Sequence, residues 1–256
     1  GNITAPLAIC APLSITYDSS APTFTMQYYS DSNLTSTITD NSKLKAGTYY
    51  VKITASETLA STPTVSITAE GTANDVTNAS TDLVSGTAYK YTRTISSDAS
   101  AIGSTLEDWS ITGTDITGNA STNVSPTNES TKTMYTDTVA PTIAIGSPSF
   151  SSTTTGPITY TATYTDASVV TLASGNITLN TTGTATGTVS VSGTGTSTRT
   201  VTISSITGDG TLGITIGTGT ATDVATNLAS SSSASQTFTV INTAPTNQNT
   251  VYPTSV

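Results

Sequence analysis

Three acids and one amide stand where a hard cation would find oxygen ligands. Asp137, Asp166 and Asp223, with Asn227 four residues beyond the last, each follow an apolar or alternating segment and open a turn-rich stretch. Calcium takes about six to eight oxygen ligands from loop apices of this kind. No Asp-x-Asp-x-Asp run accompanies them and each loop offers a single acid. A simpler reading therefore stands beside the first, in which these are Asx-turn residues that cap strand ends. Asp98, Glu107 and Asp108 are the other carboxylates close in sequence. A glycosidase pair would need a sugar cleft with aromatic walls. With 6% aromatic residues, and Trp109 inside a strand-like pattern, core packing accounts better for this segment.

The remaining chemistry is narrow. The chain has no histidine, which removes histidine-based triads, imidazole metal sites and a proton shuttle near neutral pH. Its one cysteine, Cys10, excludes a disulfide framework or Cys-rich zinc site within the chain. No catalytic residue is assigned, no enzyme activity is expected, and no cofactor is required; calcium is the one ion with candidate ligands. Asn-x-Ser/Thr occurs at eight places, Asn2, Asn33, Asn78, Asn119, Asn123, Asn128, Asn176 and Asn180. Each is a glycosylation candidate by sequence, although a chain so rich in hydroxyl residues produces such triplets readily by chance.

These residues sit in an unusual background. Of 256 residues, 62 are threonine and 37 serine, and only 9% are charged, against roughly 25% in an ordinary soluble domain. A net charge of −9 argues against a nucleic-acid partner, since phosphate binding needs a basic face. The apolar runs are short, far below the ~18 residues of a membrane-crossing helix, so membrane insertion is not expected. A hydroxyl-rich, lysine-poor surface points to the extracellular space or the cell surface.

The elements that must position the acids follow from period two. Ile158, Tyr160, Ala162 and Tyr164 alternate with threonines, as do Val201 and Ile203, Ile214 and Ile216, and Phe238 and Val240; further upstream Tyr49, Val51 and Ile53 alternate with other residues, as do Val65 and Ile67. Such alternation buries one face of a strand, and threonine suits the outward face because its branched Cβ favours extended backbone. Leu44–Ala46 and Ala99–Leu106 are the stretches closest to helix. Short strands between Gly, Ser, Asn and Asp clusters predict an all-β chain of antiparallel sandwiches, about seven strands in each.

Internal repeats set the expected units. Asp18–Ser–Ser–Ala–Pro22–Thr23, Asp137–Thr–Val–Ala–Pro141–Thr142 and Asn242–Thr–Ala–Pro245–Thr246 share one pattern, with prolines 119 and then 104 residues apart. Gly113–Thr–Asp115–Ile–Thr–Gly–Asn119 matches Ala221–Thr–Asp223–Val–Ala–Thr–Asn227, and Glu57 and Asp166 each end an early strand. The expected organisation is a terminal strand over 1–20, one unit over 21–140, a second over 141–245, and the first strand of a third over 246–256.

With these motifs the chain resembles the tandem bacterial immunoglobulin-like repeats of large surface adhesins and extracellular fibre proteins. The Asp-Thr-Val-Ala-Pro-Thr joint at 137–142 and the turn at 221–227 carry the resemblance, which covers about residues 13–256. Thr226 stands where the family turn usually has glycine, and Thr117 where it has alanine. The resemblance implies antiparallel Ig-like β-sandwiches joined by short Ala-Pro-Thr linkers, without enzyme activity, acting as spacer, adhesive or polymerising modules. It also implies calcium at inter-domain junctions in related repeats. The expected partners are copies of the chain or neighbouring repeats, and host or cell-surface glycans. An alternative is a carbohydrate- or receptor-binding module with a loop-borne site such as Asn74–Asp75–Val76–Thr77–Asn78. Assembly by strand complementation would use Ile15 and Tyr17 near one end and Val251 and Tyr252 near the other, with Cys10 at the boundary; a window on a longer protein would place these same strands in neighbouring repeats.

Overall fold

The computed structural model describes residues 17–124 and 134–243. Among them there is no α-helix, only two one-turn 3-10 segments, Thr72–Asn74 and Ser174–Asn176. No helix is long and apolar enough to cross a membrane. The two stretches nearest to helix in composition are not helical: Leu44 ends β2 (Lys43–Leu44), with Ala46 in a bend, and Ala99–Ser100 turn into β8 (Ile102–Leu106). Neither stretch is long enough to nucleate a helix on its own, and pairing with neighbouring strands decides the backbone.

The first part of the chain also holds β1 (Phe24–Tyr29), β3 (Gly47–Ala55), β4 (Thr64–Thr68), β5 (Val76–Ser80), β6 (Asp82–Ser85), β7 (Ala88–Ile95), β9 (Asp108–Thr114), β10 (Ala120–Val124) and β11 (Tyr135–Asp137). They pair in the orders β1-β3-β7-β6, β10-β9-β4-β5 and β2-β11-β8. The second part runs β12 (Thr142–Ile145), β13 (Ser152–Thr153), β14 (Ile158–Thr165), β15 (Val169–Val170), β16 (Ile177–Thr181), β17 (Thr186–Ser192), β18 (Thr198–Thr207), β19 (Gly210–Ile216), β20 (Ala221–Thr222) and β21 (Phe238–Val240). Its sheets are β12-β14-β18-β17, β13-β21-β19-β16 and β15-β20. Strands are more numerous and shorter than the expected seven, because register shifts and two-residue pairings break the longer runs.

The two parts repeat one plan. β1-β3-β7-β6 corresponds to β12-β14-β18-β17, and each part closes on one parallel pairing, β2 with β11 and β13 with β21. All other strand pairs are antiparallel. Period two is realised directly: β14 reads buried at Ile158, Tyr160, Ala162 and Tyr164, with threonines between them facing outward.

Each part has its own buried apolar cluster. One gathers Phe24, Met26, Tyr28, Val51, Ile53, Val65, Ile67, Trp109 and Ile111; the other gathers Tyr160, Val201, Ile203, Leu212, Ile214 and Phe238. Of the alternating apolar residues all are buried except Tyr49, which is half-buried; Tyr91 packs half-exposed against the first cluster and edge-on to Trp109 at 5.9 Å between ring centres. Of the tyrosine doublets, Tyr28 is inward and Tyr29 half-exposed, while Tyr49 and Tyr50 are both half-buried.

Sequence alone did not reveal the ionic centre of the first cluster. Arg93 and Glu107 are buried together, with Nη2–Oε1 at 2.6 Å and Nε–Oε1 at 3.2 Å. Glu107 also accepts from Thr136 Oγ1 at 2.9 Å, from Trp109 Nε1 at 3.1 Å and from the Tyr28 hydroxyl. Arg93 Nη1 donates to the Asn74 carbonyl at 2.8 Å. A buried charge persists only when paired and fully hydrogen-bonded, and here β1, β7, β9 and β11 each contribute a partner. Glu107 is thus a core pin rather than half of a carboxylate pair open to a sugar, while Asp98 and Asp108 lie nearer the surface.

Candidate metal centres at the joints

Asp137, Asp166 and Asp223, far apart in sequence, each present a carboxylate oxygen within 4.8 Å of the others. Register brings them together. Asp137 is the last residue of β11, Asp166 follows β14 directly, and Asp223 follows β20. Asp137 and Asp223 are buried and Asp166 is exposed. Asp166 takes a left-handed backbone at φ 62°, a conformation that aspartate and asparagine tolerate better than most residues.

Asn227 stands behind the carboxylates rather than among them. Its amide nitrogen Nδ2 donates to Asp223 Oδ2 at 2.8 Å and to the Asp137 carbonyl at 2.9 Å, and its backbone N–H donates to Asp223 Oδ1 at 2.8 Å. One side chain thereby fixes the Asp223 loop and ties it to the end of β11, across the Ala140–Pro141 step.

Asp137 is the electrostatic anomaly of the group. Its Oδ2 accepts from Lys43 Nζ at 3.3 Å, but its Oδ1 is buried without a hydrogen-bond partner. Burial, and then the negative Asp223, push its carboxyl above the ordinary range, while Lys43 pulls the other way. A buried carboxylate oxygen without a hydrogen-bond partner, beside two further carboxylates, is an arrangement that a hard cation would satisfy. The donors are all oxygens. That set suits calcium or magnesium and does not suit zinc or copper, which favour nitrogen and sulfur ligands.

Another trio, not anticipated from sequence, lies beside the preceding Ala-Pro-Thr motif: Asp18, Glu57 and Asp115, again within 4.8 Å. Its construction copies the first. Asn119 Nδ2 donates to Asp115 Oδ2 at 2.8 Å and to the Asp18 carbonyl at 3.1 Å, and Asn119 N–H donates to Asp115 Oδ1 at 2.8 Å. Thr117 adds a backbone and a hydroxyl donor to Asp115 at 2.8 and 2.9 Å. Burial raises the Asp115 carboxyl, but the donors from Asn119 and Thr117 outweigh it and lower it to about 2. Burial, with repulsion from Asp18 and Asp115, pushes Glu57 up. The repeat matches at 18/137, 57/166 and 115/223 contained this trio, but only strand register shows that the three acids meet.

Two shallow clefts flank Asp166. One, about 300 Å³, is lined by Ile102, Val139, Ala140, Thr142 and Thr165; the other, about 280 Å³, by Tyr164, Ala167, Ser168, Thr196 and Val224.

The other candidates divide plainly. Asn74, the first residue of the alternative loop site, is buried; its Nδ2 donates to the Ser96 carbonyl at 3.1 Å and its Oδ1 accepts from Ser96 N–H at 2.8 Å. It supports the Arg93 pocket and offers no amide to a sugar. Asn33, Asn78 and Asn176 are exposed, Asn119 and Asn180 partly so, and Asn119 is engaged at the first joint. Asn123 lies on β10. Tyr17 is 87% exposed. Asn2, Cys10, Ile15, Asn128, Val251 and Tyr252 lie outside the described residues. Compared with known protein families and with curated proteins, the chain matches neither a family model nor a curated sequence.

Proposed function

We propose that the chain is a non-enzymatic structural or adhesive segment of an extracellular fibre or surface stalk, built from tandem Ig-like β-sandwiches on Ala-Pro-Thr linkers and stiffened by calcium at each joint. The observation that carries this reading is the repetition of one acidic trio, with the same asparagine clamp, at two successive joints. Strand caps need one acid each; they do not need three acids from separate strands converging with a buried oxygen left unpartnered.

At the second joint Asp137 comes from the end of the first unit, and Asp166 and Asp223 come from the second. An ion there supplies the positive charge that lets three carboxylates approach, and so links the last strand of one unit to two loops of the next. Asn227 holds the Asp223 loop in place for it. The hydroxyl-covered, weakly charged surface fits an extracellular setting, with neighbouring repeats or further copies as partners and surface glycans as a second class. Heating the chain in millimolar calcium and in excess chelator tests the reading. At a calcium concentration one hundred times the dissociation constant, a bound ion stabilises by about 2.7 kcal/mol. Superimposable melting curves would sink the calcium joint.

A further inference from the structure

The two joints differ in their cations. Lys43 Nζ lies 3.3 Å from Asp137 Oδ2 at the second joint, and Lys45 Nζ reaches the Thr226 carbonyl at 3.5 Å. Among the described residues, the ion pairs are Lys43–Asp137 and Arg93–Glu107, so neither involves the first trio. The Lys43 contact is built in. Parallel pairing places Lys43 opposite Tyr135 and Leu44 opposite Thr136, which brings the lysine beside the end of β11. Gly103, at φ 69°, leaves the space: a Cβ there would come within 2.7 Å of Asp137 Oδ2 and 2.9 Å of Lys43 Nζ. The carboxylate is therefore divided, Oδ2 to the lysine and Oδ1 without a partner.

We propose that Lys43 is a tethered counter-charge that sets the calcium threshold of the second joint, so that this joint fills at a higher calcium concentration than the first. The inference rests on the reading that both trios hold calcium. Three carboxylates at the first joint carry a formal charge of −3; three carboxylates and one ammonium at the second carry −2. Ligand charge is one of the quantities that tunes calcium affinity. An ammonium bonded to a ligating carboxylate stands one carboxylate away from the ion, and repulsion at that distance is felt even in a water-like medium. As calcium falls, the second joint releases its ion first. The chain then bends at one place while the other stays fixed.

Calcium binding to the whole chain, followed by titration calorimetry, tests this with four variants. Wild type should show a tight and a weaker class of site. Asp166→Asn, an exposed residue at a backbone angle that asparagine accepts, should remove the weaker class, and Glu57→Gln should weaken the tight one. Lys43→Met should tighten the weaker class on the order of tenfold and leave the tight class alone, while Lys43→Arg, which keeps the charge, should behave as wild type. Loss of the tight class in Asp166→Asn, no tightening in Lys43→Met, or an arginine variant that tracks the methionine one would each overturn the threshold role and leave the calcium joints standing. No calcium uptake by the wild-type chain would overturn both.

Discussion

Removing Arg93 from the first core should unfold that unit long before the second. Both members of the Arg93–Glu107 pair are buried, at 1% and 0% side-chain exposure. Glu107 retains donors from Thr136, Trp109 and Tyr28 when the guanidinium is gone, but none of them carries charge. Breaking a buried pair by deleting one partner costs about 3–5 kcal/mol, because the other charge stays buried and uncompensated. For a unit of roughly this size, that is on the order of 10–20 °C in melting temperature. The assay is selective, because the chain has one tryptophan and Trp109 donates to Glu107 itself. Its fluorescence reports the first unit, and far-ultraviolet circular dichroism reports both. Arg93→Met should bring the fluorescence transition forward and split it from the dichroism. The double variant Arg93→Met/Glu107→Gln should recover part of the loss, since the amide oxygen in the Oε2 place still accepts from Trp109 and Tyr28, and its NH2 in the Oε1 place donates to the Thr136 hydroxyl, without a buried charge. An Arg93→Met loss under ~1 kcal/mol, the scale of an exposed pair, or a double variant worse than the single, would refute the pinning role.

Further outcomes follow from the same geometry. In chelator, mild acidification from neutrality should first raise the melting temperature: Asp137 and Glu57 have raised carboxyl values in the folded state, so their contribution is present below the unfolded value near 4 and is lost as pH rises through the folded one. Asp31, Asp98, Asp209 and Asp115 are lowered, so their contribution is lost as pH falls below about 4, towards about 2 for Asp115. A pH series of melts with and without calcium checks this; a purely monotonic fall in chelator contradicts it. Asn227→Ala should weaken calcium binding at the second joint while leaving the first unchanged, read by calorimetry. Gly103→Ala should destabilise the first unit by about 1 kcal/mol or more, since a left-handed backbone and contact with Asp137 both oppose a side chain; an unchanged melt would show that the space around the Lys43–Asp137 pair is not needed.

The all-β character was legible because alternation survives in the burial itself, as in β14 and β18. The trio of Asp137, Asp166 and Asp223 was legible because each acid ends a strand or opens a turn in a repeated motif. Its twin at Asp18, Glu57 and Asp115 was present in the same repeats, yet convergence depends on register across sheets, which spacing along the chain does not encode. The Arg93–Glu107 pair left a trace: Arg93 continues the inward alternation of Tyr89, a position where a charge needs a buried partner. Nothing in the sequence named Glu107 as that partner, because the contact crosses from β7 to the residue between β8 and β9. Lys43 was obscured for a similar reason, its two-residue strand being too short to show a period.

The joint is tested most directly by a crystal structure of the chain grown in calcium. The expected result is an ion bound by Asp137 Oδ1, Asp166 and Asp223 at about 2.3–2.6 Å, with a second among Asp18, Glu57 and Asp115. Carboxylates that keep their present spacing at saturating calcium, with Asp137 Oδ1 bound to no ion and Lys43 its residue's one charged partner, would contradict it.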